Sequence, residues 1–162
     1  MFMKLLITIL TTFLVTSCGG LDPGTLPDPA NVHGIITFVG GPQAWPDTLL
    51  EVRVVLFDRQ PLAPDSVLSA ILNGRAAYTD TLPRFVDTCS YSIPIPQPPH
   101  TFGYVVVAAR VGPNLIKDWM MLSLYHDTLN QTEPRVLSVS EGAQARVDFT
   151  VDFLNLPPQP FQ

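Results

Sequence analysis

Apolar and polar residues alternate with a period of two along much of the chain. The clearest case is QARVDFTVDF (144–153), where Val147, Phe149, Val151 and Phe153 point one way and Arg146, Asp148, Thr150 and Asp152 the other. Successive side chains of a strand leave on opposite faces, so one face here is core and the other meets water. LLEVRVVLFD (49–58) repeats the pattern. Leu50, Val52, Val54 and Leu56 share one face, and Glu51, Arg53, Val55 and Phe57 share the other. FGYVVVAARVG (102–112) is almost continuously apolar, which predicts a central strand covered on both sides. NVHGIITFVGG (31–41), ended by two glycines, and PRVLSVSEG (134–142) predict further strands. SIPIPQPPH (92–100) reads as the end of a strand running into a Pro-rich crossover. LIKDWMMLSLYH (115–126) follows a Gly-Pro-Asn turn signal, and its pattern does not choose between strand and helix.

PDSVLSAILNG (64–74) breaks this rhythm. Val67, Leu68, Ile71 and Leu72 fall at helical spacing, Asp65 or Ser66 can cap the start, and Asn73-Gly74 can close the end. A short helix near 65–73 is therefore expected. About six or seven strands with turn residues between them predict an all-β, Ig-like antiparallel sandwich over residues 31–154. The Pro-rich tail, 155–162, has no pairing pattern and is expected to fray.

The chain opens MFMKLLITILTTFLVTSCGG. Lys4 precedes an apolar stretch, Leu5–Val15, which is shorter than the roughly 20 residues a membrane-spanning helix needs. Thr16 and Ser17 are small, so residues 1–17 have the layout of a secretory signal. Cys18 stands directly after them, and Val15-Thr16-Ser17-Cys18 resembles the lipobox of bacterial lipoproteins. The resemblance implies cleavage before Cys18 and lipidation of its sulfur, with acyl chains of the palmitate kind. Two or three chains, at about 0.8 kcal/mol per buried methylene, hold a protein on a membrane where one chain does not. Residues 18–30 then serve as lipidated cysteine and tether, since GGLDPGTLPDPA has little to bury. Gly19 stands where aspartate favours inner-membrane retention in enteric lipoproteins, so the resemblance places the protein at the outer membrane of a bacterial envelope.

Composition narrows the partners. With Lys4 lost in the leader, eight basic and fourteen acidic residues remain, a net charge of about −6. Lys117 is then the single lysine. Nucleic acid is excluded as a partner, because phosphate recognition needs clustered Lys and Arg. If Cys18 carries lipid, Cys89 is a lone thiol, read as a small buried side chain or as a reactive or metal-binding one. His33, His100 and His126 form no HxH, HExxH or CxxC-like set, so no metal and no cofactor is expected. No GxSxG elbow is present. Asp148 and Asp152 stand about 13 Å apart along one strand face, too far for paired acid–base work.

HGIITFVGGPQAWPDTLLEVRVVLF, YVVVAAR with its following Trp segment, and VSEGAQARVDFTVDF together resemble the transthyretin-like, carboxypeptidase-regulatory-like domains of bacterial envelope lipoproteins. The resemblance implies a seven-stranded prealbumin-type sandwich, usually non-catalytic. Hydroxyisourate hydrolase shares that fold, but its closing Tyr-Arg-Gly-Ser is absent from this chain. Aromatic residues are the better lead to a site. Trp45 in GGPQAWPD, Trp119 and Tyr125 are candidate ligand contacts, against the reading that Trp119 is core and Trp45 plugs an end of the sandwich. The expected function is that of a membrane-anchored envelope lipoprotein whose domain is a non-enzymatic binding or structural module. Its partner would be an envelope protein or a glycan. The alternative is a small envelope hydrolase with an unrecognised active site. A pocket with convergent polar groups would separate the two.

Overall fold

The computed structural model describes residues 28–127 and 130–161. The leader 1–17, Cys18 and most of the tether lie outside the described residues. The domain is mostly β-structure with one α-helix, as the alternation predicts. Ten strands occur among the described residues.

The first sheet is built on β1 (Ala30–Phe38). It pairs antiparallel with β4 (Thr88–Ile95) along its whole length. On its other side it runs parallel to β9 (Gln144–Arg146) and then to β10 (Phe149–Val151). The parallel pairing departs from the expected purely antiparallel arrangement. The second sheet has the order β3 (Ala76–Tyr78), β2 (Glu51–Phe57), β6 (Tyr104–Arg110), β7 (Trp119–Leu124), all antiparallel. A two-stranded ribbon joins β5 (His100–Phe102) to β8 (Leu137–Val139).

One buried cluster takes side chains from both main sheets. Val32, Ile36 and Phe38 of β1 and Tyr91, Ile93 and Ile95 of β4 meet Val52, Val54 and Leu56 of β2 and Val105, Val107 and Ala109 of β6. These are the alternate positions that the period of two selects. Burying each large apolar side chain contributes about 1.5–3 kcal/mol, which makes this cluster the main source of stability.

QARVDFTVDF keeps its predicted alternation but is not one strand. It is broken at Val147–Asp148, where the chain closes on Gly34 of β1. A Cβ on Gly34 would lie 1.8 Å from the Val147 carbonyl oxygen, so only glycine admits this approach. That oxygen accepts the buried Tyr91 hydroxyl at 2.6 Å, Val147 N–H donates to His33 O at 2.9 Å, and Asp148 Oδ1 accepts Ile35 N–H at 2.9 Å. Side-chain and crossed backbone bonds thus replace the ladder for two residues.

The second sheet has another covered face. Val55, Phe57, Tyr104, Val106, Met121 and Leu124 form a separate buried cluster there, with Val67 and Ala70 of helix α1 (Pro64–Leu72) packed on it. Pro64 presets the helical φ of the first turn, where its missing N–H is not needed. Ser66 Oγ accepts the N–H groups of Leu62 and Ala63 and donates to Ala63 O. At the other end the Asn73 side chain donates to Ser69 O, and Gly74 turns the chain away at φ 66°. Strand β7 carries a register shift opposite Val107/Ala108. The shift lets Met121 and Leu124 both join this second cluster while Leu122 enters the main core.

The tail does not fray as expected. Gln159 Oε1 accepts Met121 N–H at 2.7 Å, and Gln159 Nε2 donates to Met121 O at 3.0 Å. One side-chain amide therefore satisfies both backbone groups of Met121 at the open edge of β7, as a residue of a neighbouring strand would.

Candidate functional site

The outer face of the second sheet is graded along its length. Opposed pairs on β2 and β6 run Glu51–Arg110, Arg53–Ala108, Val55–Val106 and Phe57–Tyr104. Strand β7 continues the first two rows with Trp119 and Met121. The face is charged at one end and apolar at the other, over about 20 Å of strand. Helix α1 covers the apolar end only partly, and a pocket of about 370 Å³ remains between the sheet and what lies over it.

Val55, Val106, Ala108 and Met121 form the pocket floor, Val67, Leu68 and Ile71 of α1 one wall, and Leu115, Ile116 and Trp119 another. Pro160 and Phe161 of the tail line it as well, held there by the Gln159 bonds to β7. The Trp119 indole N–H donates to Leu115 O at 2.9 Å, which ties the ring to the turn before β7. Tyr104 Oη donates to Met121 sulfur at 3.2 Å, and burial pushes its hydroxyl pKa up to about 12. That phenol is a neutral wall and not an acid or base near pH 7.

The charged end compensates itself. Glu51 Oε1 accepts from Arg53 Nε and from Thr81 Oγ1, and Oε2 accepts Arg110 Nε at 3.1 Å. Arg53 also donates to Thr79 O at 2.8 Å and stands over the Tyr78 ring, 5.7 Å from its centre. Burial raises the Glu51 pKa, but the hydrogen bonds from Arg53 and Arg110 outweigh it and hold the carboxyl below its ordinary value. A carboxylate so engaged is a poor proton acceptor. The pocket walls present neither a nucleophile paired with a base nor a carboxylate kept protonated.

The three aromatic candidates go to three places. Trp119 lines the pocket. Trp45 is 5% exposed, packed against Phe38 and Phe153, with its indole N–H donated to Val86 O at 3.0 Å; it plugs the core. Tyr125 lies half-buried against the main core beneath Arg135, 5.4 Å from ring centre to guanidinium carbon. Cys89 is buried in the main core, and burial raises its thiol pKa, which disfavours the reactive thiolate.

The histidines are dispersed. His100 Nε2 bonds Asp58 Oδ1 at 2.7 Å and its ring packs on Phe102; His126 Nδ1 bonds Asp127 O; His33 lies on β1. Among the described residues no group of three or more His, Cys, Asp or Glu side chains is placed to hold a metal. Among them, too, no helix is long and apolar enough to cross a membrane.

The sequence reading missed the pocket. Its signal lay in the face of β2 opposite the core, where Glu51 and Arg53 give way to Val55 and Phe57.

No family model matches this chain, and no curated protein matches it. Among solved structures it is similar to a leucine-rich repeat protein from Bacteroides thetaiotaomicron VPI-5482. The TM-score is 0.32 at 10% identity, over 79% of this chain and 14% of that one. The chain thus spans about one seventh of that protein's length, and a likeness this slight carries no argument about fold or function.

Proposed function

We propose that the protein is an envelope lipoprotein, anchored through Cys18 at the outer membrane, whose β-domain is a non-catalytic binding module. The observation that carries the binding role is the apolar pocket on the second sheet, whose charged lining residues among those described, Glu51 and Arg53, are bonded to one another. Preformed apolar pockets with a few fixed polar groups are the usual form of small-ligand sites. The anchor rests on Val15–Cys18 and on the Gly- and Pro-rich tether. A sandwich of transthyretin-like type remains our reading of the architecture, supported by the main core that both main sheets supply.

No particular observation favours the hydrolase alternative. The His100–Asp58 pair is a start, but among the described residues no serine hydroxyl or cysteine thiol is bonded to His100.

The test has two arms. Cys18→Ser should move the protein from the membrane fraction to the soluble periplasmic fraction, and full retention in membranes would refute the anchor. Protein purified from its own envelope and extracted with organic solvent should yield one apolar small molecule in near-stoichiometric amount. Recovery of none, together with turnover of a model ester, would replace the module by an enzyme.

A further inference from the structure

We infer that the pocket takes a single-chain amphiphile with an anionic head, a fatty carboxylate of about ten carbons. This deepens the binding-module reading and rests on it. Three observations assign the ligand class.

The first is charge. The bonded set Glu51, Arg53 and Arg110 holds two guanidinium groups against one carboxylate, leaving one positive charge in excess. The side chains are only 13–26% exposed, so water screens that charge weakly. Asp118, beside Gly112 at the Arg110 end, accepts Asn114 N–H at 2.7 Å and bonds neither arginine, so it offsets Arg110 only through space and leaves Arg53 as the pocket's cation. Both Glu51 oxygens are occupied, Arg53 also donates to Thr79 O and Thr81 Oγ1 and Arg110 to Gly112 O, so the group able to receive an anion is the remaining N–H edge of Arg53, the arginine that lines the pocket. The chain as a whole is acidic, so general electrostatic attraction does not bring anions here.

The second observation is direction. The rows of β2 and β6 pass from Glu51–Arg110 to Val55–Val106, so a head at Arg53 lays its chain along Ala108, Val106 and Met121, below Leu68 and Ile71. The third is size. A volume of about 370 Å³ holds about a dozen water-sized groups, which is the heavy-atom count of decanoate.

The test uses the full chain carrying Cys18→Ser, which removes the need for detergent. Binding of octanoate, decanoate, dodecanoate and decanol is measured by calorimetry below their micelle concentrations. Affinity should rise about fourfold per added methylene and level off once the pocket is full. Decanoate should bind about tenfold or more tightly than decanol, and Arg53→Gln should bring that ratio close to one. Ala108→Phe, which fills the floor, should weaken both ligands, with a thermal melt confirming the fold.

Equal binding of decanol and decanoate, untouched by Arg53→Gln, would overturn the head-group assignment and leave an apolar binding module. Binding to phosphatidylglycerol vesicles without binding to free decanoate would overturn it in favour of a membrane surface. No binding of any chain would overturn the amphiphile, while the solvent extract described above decides the module reading separately.

Discussion

Replacing Gly34 by alanine should destabilise the domain by about 2–6 kcal/mol. The added Cβ would sit 1.8 Å from the Val147 carbonyl oxygen, where ordinary contact starts near 3.4 Å. The two backbones must separate by roughly 1.5 Å, and overpacking of this kind costs about 1–3 kcal/mol. The same movement pulls Val147 O from the Tyr91 hydroxyl, now 2.6 Å away in a buried site. An unsatisfied buried polar group costs about 1–3 kcal/mol more. For a domain of this size the sum lowers the melting temperature by roughly 10–20 °C. Urea unfolding followed by the fluorescence of buried Trp45 reads the loss directly. Tyr91→Phe alone should cost about 1–2 kcal/mol, and the double variant should fall short of additivity, because both changes break the same bond. Gly74→Ala is the control. That glycine has φ 66° with no atom near its missing Cβ, so alanine there costs only the left-handed backbone, about 1–2 kcal/mol. A Gly34→Ala shift below about 0.5 kcal/mol would refute the close approach that breaks β9 from β10.

Other outcomes follow from the same contacts. The Glu51 pKa is depressed in the folded state, so its contribution is present above the ordinary glutamate range and lost as pH falls through the depressed value. Glu51→Gln should therefore lower stability at pH 7 and flatten the acid limb of a stability–pH curve; an unchanged slope below about pH 4.5 would contradict the pairing. Gln159→Ala should free the tail from β7 and speed hydrogen exchange at the Met121 amide by tenfold or more, and unchanged protection would remove Gln159 as its partner. Cys89 should resist iodoacetamide at pH 8 in the native protein and react promptly in urea; rapid native labelling would show that it is not buried.

Much of this fold was legible as period-two patterning. From Glu51 onward the two faces of LLEVRVVLFD separate as the sequence predicts, with Val52, Val54 and Leu56 in the main core and Val55 and Phe57 in the second cluster, but Leu50, expected on the core face, is 44% exposed and Leu49 is buried in its place, because the strand starts only at Glu51. The continuous apolar run of β6 correctly signalled cover on both sides, and the helix over 64–72 supplies part of that cover. The breakdown occurs where one contact overrides local pattern. Nothing local in QARVDFTVDF announces a break at Val147; the cause is Gly34, more than a hundred residues away. The tail likewise has no strand pattern, because it holds to β7 through a side-chain amide and not through a ladder. Ala76–Tyr78 was too short to register as a strand, yet it completes the edge of the second sheet.

The candidate site was harder to see. Trp119 stood out as an aromatic, but so did Trp45 and Tyr125, and only packing distinguishes a pocket wall from a core plug. Glu51 and Arg53 alternate with valine and leucine in a way that reads equally as a solvated face. Their role depends on Arg110, which β2–β6 pairing brings opposite Glu51, and on cover from α1, the 115–118 turn and the tail. These segments come from four separate stretches of chain.

The pocket on the second sheet is the central claim, and the chain's two tryptophans allow it to be tested by contact quenching. Trp119 lines the pocket and Trp45 is buried in the core. A neutral brominated decanol, titrated into the full chain carrying Cys18→Ser, should quench only the part of the emission that Trp119→Phe removes. Equal quenching in the Trp119→Phe variant, or none in the parent chain, would contradict the assignment of this face as the binding site.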